Sequence, residues 1–295
     1  MLFGLVTPIA THLTRRHQPW EVESGPRELR QIAVTADRLG IHHISCSEHV
    51  GIPTHIVQSR GPRYYDPLAT FGYLAAVTKR LKFLTHVIVL PYHHPLSVAK
   101  RYGTLDVISG GRLILGVGVG TLKEEFDLLG VEFEHRAERY TEGLQALRAA
   151  MGERQPVFHG KYYNFDDFII DPHAVQERMP IWLGGNTKVS LRRAVASADG
   201  WDTPGLSIEQ FTEIITAVKQ TPEWKARASP LEVVIMGDPN YDISEPKGFA
   251  ALVDQIAAYQ KAGATGMNFY FRAKSLEHYC EQLETFASKI MANFR

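Results

Sequence analysis

The sequence predicts a (β/α)8, or TIM, barrel with an insertion that contains a small hairpin. Three observations carry that expectation. Short apolar runs of strand length alternate with amphipathic helical stretches, brief turns marked by Gly or Pro join them, and eight such units can be counted. Alternation of this kind excludes an antiparallel sandwich, and eight parallel units close a barrel. An open doubly wound sheet is the competing arrangement, because the runs near Ile181 and Ala198 are short enough to be miscounted. The 295 residues show no linker in the middle, so one domain over 1–295 is expected, interrupted by the insertion at about 152–179.

Taken in order, the apolar run 2–6, ended by Thr7-Pro8, is the first strand, and the aperiodic stretch 10–26 a long loop. Leu29, Ile32, Ala33, Ala36 and Leu39 recur at helical spacing until Gly40 stops the helix. Strand character returns over 41–46 and gives way to Ser47-Glu48-His49; a second loop covers 51–65. Asp66-Pro67 opens the next helix, since the carboxylate can cap free amides and a first-turn proline lacks only a donor that would go unused. Leu68, Phe71, Leu74 and Ala75 are its inner face. The run 81–90 is the longest strand-like stretch, interrupted by His86.

Val98, Ala99, Tyr102, Leu105 and Ile108 face one side of a helix that ends at Ser109-Gly110-Gly111, before a strand over 112–117. After a helical region over 121–151 the rhythm breaks. Val157-Phe158-His159 and Phe168-Ile169-Ile170 are expected as the arms of the inserted hairpin. Pro180-Ile181-Trp182-Leu183 resumes the barrel, followed by a helix over 188–196 and a short strand near 198–202. Ile208, Phe211, Ile215 and Val218 mark the next helix, then a strand over 231–236 and a helix with Leu252, Ile256 and Tyr259. The last strand is 267–271, and the last helix carries the stripe Leu276, Tyr279, Cys280, Leu283, Phe286 and Ile290.

Charge balances at 32 basic against 32 acidic residues, so no overall positive field draws nucleic acid. No stretch approaches the roughly 20 apolar residues of a membrane-spanning helix. The first residues lack the basic-then-apolar pattern of an export signal, and a cytoplasmic location is expected. Cys46 and Cys280 sit in apolar runs and suit a reducing compartment better than a disulfide framework.

Gly116-Val117-Gly118-Val119-Gly120 invites a dinucleotide-binding reading but fails on spacing. The fingerprint needs a third glycine three positions after the second, where Thr121 or Lys123 stands. These glycines end a strand, where a missing side chain lets a flat ring approach or simply serves a turn. Phosphate-loop, His-Glu-x-x-His and Gly-x-Ser-x-Gly signatures are all missing. His93-His94, with His86 and His49, could converge on a metal in the barrel mouth. That keeps a metal-dependent barrel hydrolase as a second class, and a non-catalytic cofactor-binding protein as a third; no metal ligand set is expected.

Barrel active sites sit at the C-terminal ends of the strands. Here those ends carry Thr7, Glu48-His49, Thr85-His86, the glycines from 116 to 120, Gly184-Gly185-Asn186, Thr203, Gly237-Asp238 and Arg272. His49 is the best catalytic candidate, because imidazole can pass a proton near neutral pH. Glu48 points elsewhere on an extended backbone and has a structural reading as well. His86, in an apolar strand, must find a partner inside the barrel or line the pocket. Gly184-Gly185-Asn186 precedes a helix whose positive end and bare amides suit a phosphate, although a plain turn explains the same residues. Arg60 and Arg63 could reach an acidic cofactor tail or a substrate, or remain solvated.

A set of segments then carries a family resemblance: Ser47-Glu48-His49-Val50, Asp66-Pro67-Leu68-Ala69, Leu90-Pro91-Tyr92-His93-His94-Pro95, Ala99-Lys100, the run 105–120, Glu124-Glu125-Phe126, Arg136, Pro180-Ile181-Trp182-Leu183-Gly184-Gly185-Asn186 and Ala198-Asp199-Gly200-Trp201. Over about residues 40 to 202 the chain resembles the luciferase-like monooxygenase superfamily, in its branch of deazaflavin (coenzyme F420)-dependent oxidoreductases. The resemblance implies a cytoplasmic homodimer acting on a small molecule. It also implies F420, or alternatively FMN, in the barrel mouth, against a bulged third strand with an unusual cis peptide at Thr85-His86-Val87.

Carried over residue by residue, the catalytic pair is Glu48 and His49, with His49 facing ring and substrate. Candidate cofactor contacts are Thr7, Thr85, His86, Gly116, Val117, Gly118, Gly120 and, near the cofactor phosphate, Gly184, Gly185 and Asn186. The implied reaction is hydride transfer between F420 and an unidentified organic substrate, with FMN-dependent monooxygenation as the alternative. Two positions depart from the family pattern: His86 stands where glycine commonly follows Thr85, and Thr121 where tryptophan often follows Gly120.

Overall fold

The computed structural model describes residues 1–14, 16–238 and 241–294; Arg15, inside the loop expected over 10–26, is among those outside it. Eight parallel strands form its centre: β1 (Leu2–Val6), β2 (His43–Cys46), β3 (Lys82–Thr85), β4 (Leu113–Gly118), β5 (Ile181–Gly184), β6 (Gly200–Thr203), β7 (Glu232–Met236) and β8 (Gly266–Phe269). Each pairs with the next, and β8 returns to β1 with Leu2 opposite Gly266 and Leu5 opposite Phe269. The sheet is therefore closed, and the open-sheet alternative is excluded. Strands buried on both faces read as continuous apolar runs, which is why β4 is buried at every position.

The helices between strands begin and end where their termini are satisfied. Asp66 accepts the Ala69 amide at 2.8 Å ahead of Pro67, and His94 Nδ1 accepts the Leu96 amide at 3.2 Å ahead of Pro95. Gly40 and Gly110 end their helices in the left-handed conformation, at φ of 77° and 69°. The main core lies between barrel and helices. Inside the barrel, Leu84, Ile114, Trp182 and Val234 form a separate apolar layer. The Trp182 indole lies across Gly200, where an added Cβ would come within 2.5 Å of the ring.

The third strand stops at Thr85 and resumes only at Ile88–Val89, with a cis peptide between His86 and Val87, where the family resemblance implied a bulge. Several other elements differ from expectation. Helix Pro95–Ser109 buries Asp106 and Ser109 where Ile108 was expected; Ile108 is exposed. The Asp106 carboxylate accepts the Val175 and Gln176 amides and the Gln176 side chain at 2.8–3.1 Å, which fastens the insertion. The hairpin pairs Phe158–His159 with Asn164–Phe165, not with 168–170, because Phe165 packs on Phe158 and His94 while Phe168 and Ile169 stay exposed. Over 121–151 there are two helices, Lys123–Leu129 and Arg136–Ala150, parted by Gly130 in the left-handed conformation.

Loops 10–26 and 51–65 are tied to one another. The His12 amide donates to the Arg63 carbonyl at 2.9 Å, and the Tyr65 amide to that of Ala10 at 2.9 Å. The Arg63 guanidinium, a candidate for a cofactor tail, instead donates to the carbonyls of Glu21, Val22 and Ser24. Cys46 and Cys280 are free thiols. Among the described residues, no helix is long and apolar enough to cross a membrane.

Candidate active site

A cavity of about 550 Å³ opens at the C-terminal mouth of the barrel, bounded by the ends of β2, β3, β4, β5 and β6. Where β2 ends, the alternation of an extended backbone sends successive side chains apart. The Glu48 carboxylate turns to the strand beyond the bulge, accepting the Val89 amide at 2.7 Å and lying 2.8 Å from His93 Nε2. His49 turns to the cavity wall. Its Nδ1 lies 2.6 Å from Oε2 of Glu125, in the first turn of helix Lys123–Leu129. Glu125 Oε1 accepts the amides of Val50 and Gly51 at 2.8 and 3.3 Å, and the Tyr92 hydroxyl donates to Oε2 at 3.3 Å. Burial pushes the Glu125 carboxyl up, but His49 and these amides outweigh it and hold the group below its ordinary value. The Tyr92 phenol is pushed up by burial and by Glu125.

His86 finds its partner across the barrel. Its Nε2 lies 3.3 Å from Oδ2 of Asp202 on β6, whose carboxylate also accepts from Asn268 Nδ2 at 3.2 and 3.3 Å. Burial pushes the Asp202 carboxyl above its ordinary value, against the pull of His86 and Asn268. The glycine run serves the bulge. A Cβ on Gly116 would sit 1.8 Å from the Thr85 carbonyl oxygen, and one on Gly118 or Gly184 within 2.5 or 2.9 Å of the Val87 side chain. These positions lack side chains because the displaced segment of the third strand occupies that space.

His49, Glu48, His86, Gly118, Gly120, Gly184 and Gly185 line the cavity. Other candidates do not line it. Thr85 is buried with its hydroxyl donating to the Gly116 carbonyl at 2.8 Å, and Val117 is buried with its carbonyl accepting from Tyr140. Gly116 is covered by Thr85, Thr7 is buried with a hydroxyl that has no hydrogen-bond partner among the described residues, and Asn186 is exposed ahead of helix Lys188–Ser197. The four histidines do not converge. His49, His86 and His93 each face a different carboxylate, and His94 caps a helix. Among the described residues, no group of three or more His, Cys, Asp or Glu side chains could hold a metal.

Sequence reasoning missed Glu125, Asp202, Asn268, Tyr92 and Arg16. Glu125 stood in a recognised segment without a role. Asp202 is a carboxylate in a short strand beside the strand-end residue Thr203, and its partners lie far off in the sequence.

The sequence profile of the luciferase-like monooxygenase family matches residues 1–241. An uncharacterised protein of Mycobacterium tuberculosis is 30% identical over 240 residues, 79% of each chain. An F420-dependent glucose-6-phosphate dehydrogenase of Amycolatopsis mediterranei is 29% identical over 205 residues, 68% of this chain and 60% of that one. A monooxygenase from Streptomyces bottropensis superimposes over 100% of both chains with a TM-score of 0.75 at 21% identity, a likeness of fold. With its barrel closed and its profile matched over most of its length, the chain belongs to the luciferase-like monooxygenase family.

Proposed function

We propose that this protein is an oxidoreductase that transfers a hydride between coenzyme F420 and a small organic substrate. The observation that carries this is the barrel mouth itself: a cavity of about 550 Å³ with the bulged third strand on one wall and His49, oriented by Glu125, on another. The volume lies within the roughly 300–1,000 Å³ of small-molecule sites. Val87, Val89, Leu122 and Met236 offer apolar surface to a flat ring, and Arg16 and Arg60 offer cations to an anionic tail. The F420-dependent dehydrogenase among the relatives favours a deazaflavin over FMN.

When bound, coenzyme F420 supplies a two-electron carrier that gives or takes one hydride and one proton. The protein supplies orientation and proton handling. Glu125 fixes His49 at Nδ1, which leaves Nε2, with no partner among the described residues, to give or take a proton. Glu48 clamps β2 to the segment beyond the bulge and so sets where His49 stands. We also assign the protein to the cytoplasm as a homodimer of one-domain chains over 1–295, with two free thiols in agreement with a reducing compartment.

Titration of the purified protein is expected to show F420 binding more tightly than FMN. Equal or preferential FMN binding overturns the deazaflavin assignment in favour of an FMN-dependent monooxygenase. Changing His49→Ala should slow turnover by about 10²–10⁴-fold with little change in cofactor affinity. Unchanged turnover would remove His49 from the chemistry.

A further inference from the structure

Two pairs of imidazole and carboxylate face the cavity, and they are built differently. Glu125 is held by two backbone amides and a phenol besides His49. Asp202 is held by His86 on the cavity side and by Asn268 from inside the barrel. Behind Asn268 the hydrogen bonds continue: Asn268 Oδ1 lies 2.7 Å from His43 Nε2, and His43 Nδ1 lies 2.9 Å from His42 Nδ1.

With the Asn268 oxygen toward His43, the chain has one direction. His43 is completely buried, and burial drives its imidazole well below its ordinary value, so the ring is neutral with one N–H and one lone pair. The Asn268 oxygen only accepts, so Nε2 of His43 carries the hydrogen and Nδ1 accepts from His42. The Asn268 amide nitrogen is then left to donate to Asp202. Every hydrogen from His42 onward points toward that carboxylate, and the imidazole of His86 faces it from the other side.

The surroundings add little charge. The titratable groups nearby are His43 of β2, His42 just before it and Lys82 at the far end of β3, while Arg16 approaches beside Met236 of β7. Trp182 of β5, Ile114 of β4 and Val234 of β7 are apolar. In such a setting the imidazole of His86 is the near partner of the Asp202 carboxylate and the main counterweight to its burial, with Asn268 second. With Nε2 3.3 Å from Asp202, His86 has Nδ1 left over, and it has no partner among the described residues.

We infer that His86 is the second acid–base group of this cavity, with Asp202 as its positioning residue. This rests on the hydride-transfer reading. In the oxidative direction the substrate loses a hydride, with two electrons, and a proton; the carrier gains a hydride and a proton. The two protons move at different atoms, and one imidazole cannot stand at both. One of His49 and His86 accepts the proton that leaves the substrate, the other gives the proton that the carrier takes up, and both are restored through water.

Two measurements on the full-length protein test this. Carbon-13 NMR of the carboxyl groups needs no cofactor. Asp202 is expected to titrate above the ordinary aspartate range, and His86→Gln should raise it further, by about one pH unit or more, because the lowering pull of the imidazole is gone. An Asp202 that titrates normally, or ignores His86→Gln, overturns the pair. In turnover, Asp202→Asn is expected to remove one limb of the pH–rate profile at an unchanged melting temperature and KM. A uniform loss at every pH would make Asp202 merely structural and overturn the inference; if that variant does not fold, His86→Gln carries the same comparison. Should F420 fail to bind, the hydride reading falls by itself, while the carboxyl titration still decides whether the pair exists.

Discussion

Glu125 divides its two oxygens between a side chain and the backbone that presents it: one orients His49, the other holds the amides just beyond it. Because the carboxyl is held below its ordinary value, its contribution to stability is complete above the unfolded carboxylate range. That contribution is lost as pH falls through the lowered value. Glu125→Gln keeps the size and an oxygen for the amides but removes the charge beside the imidazole. Turnover should fall by at least about tenfold, and the most acidic limb of melting temperature against pH should flatten. At Gly118, an alanine methyl would meet Val87 at 2.5 Å. Gly118→Ala should cost about 1–3 kcal/mol in denaturant unfolding, and Val87→Ala should recover part of it in a double-mutant cycle. His49 was legible because it stands at a strand end. Glu125 and Asp202 were not, since their partners lie 76 residues away in the first case and, for Asn268, 66 in the second. A strand-end position can be read locally; a pairing across the barrel cannot.

Strand and helix identity was largely legible for the same reason, that burial and capping leave local marks. β1 matches its expected range, and Asp66-Pro67 opens its helix as the capping argument required. Boundaries failed where a tertiary contact overrides the pattern. The run 81–90 is mostly apolar and its local pattern shows no break; the family resemblance implied one at Thr85-His86-Val87, and the space left by Gly116, Gly118 and Gly184 accommodates it. Ile108 sits at helical spacing, but the buried face there belongs to Asp106, whose partners arrive with the insertion. Asp106→Ala removes the acceptor of the Val175 and Gln176 amides, each worth about 1–3 kcal/mol where it stays buried, while the Gln176 side chain keeps the Leu113 carbonyl. Limited proteolysis should then cut within 152–179 before the rest of the chain opens; an unchanged cleavage pattern would contradict the clamp.

Over the whole molecule, closure was the property that local patterns could not decide, because it depends on β1 meeting β8 from opposite ends of the chain. Acid sensitivity also belongs to this scale. Burial, with neighbouring cations, depresses the imidazoles of His12 and His42 from 6.5 to about 4. Between those values the unfolded chain takes up protons that the fold refuses, so stability is retained at higher pH and lost as pH falls from about 6.5 to about 4. Thermal melts across that window should show the decline, and His12→Gln should make it shallower. Beneath the cavity, Leu84, Ile114, Trp182 and Val234 fill the barrel, which makes the mouth a blind alley. Two molecules that share a blind alley must queue: whichever goes deepest arrives first and departs last, and a late partner returning early would lock the first one in.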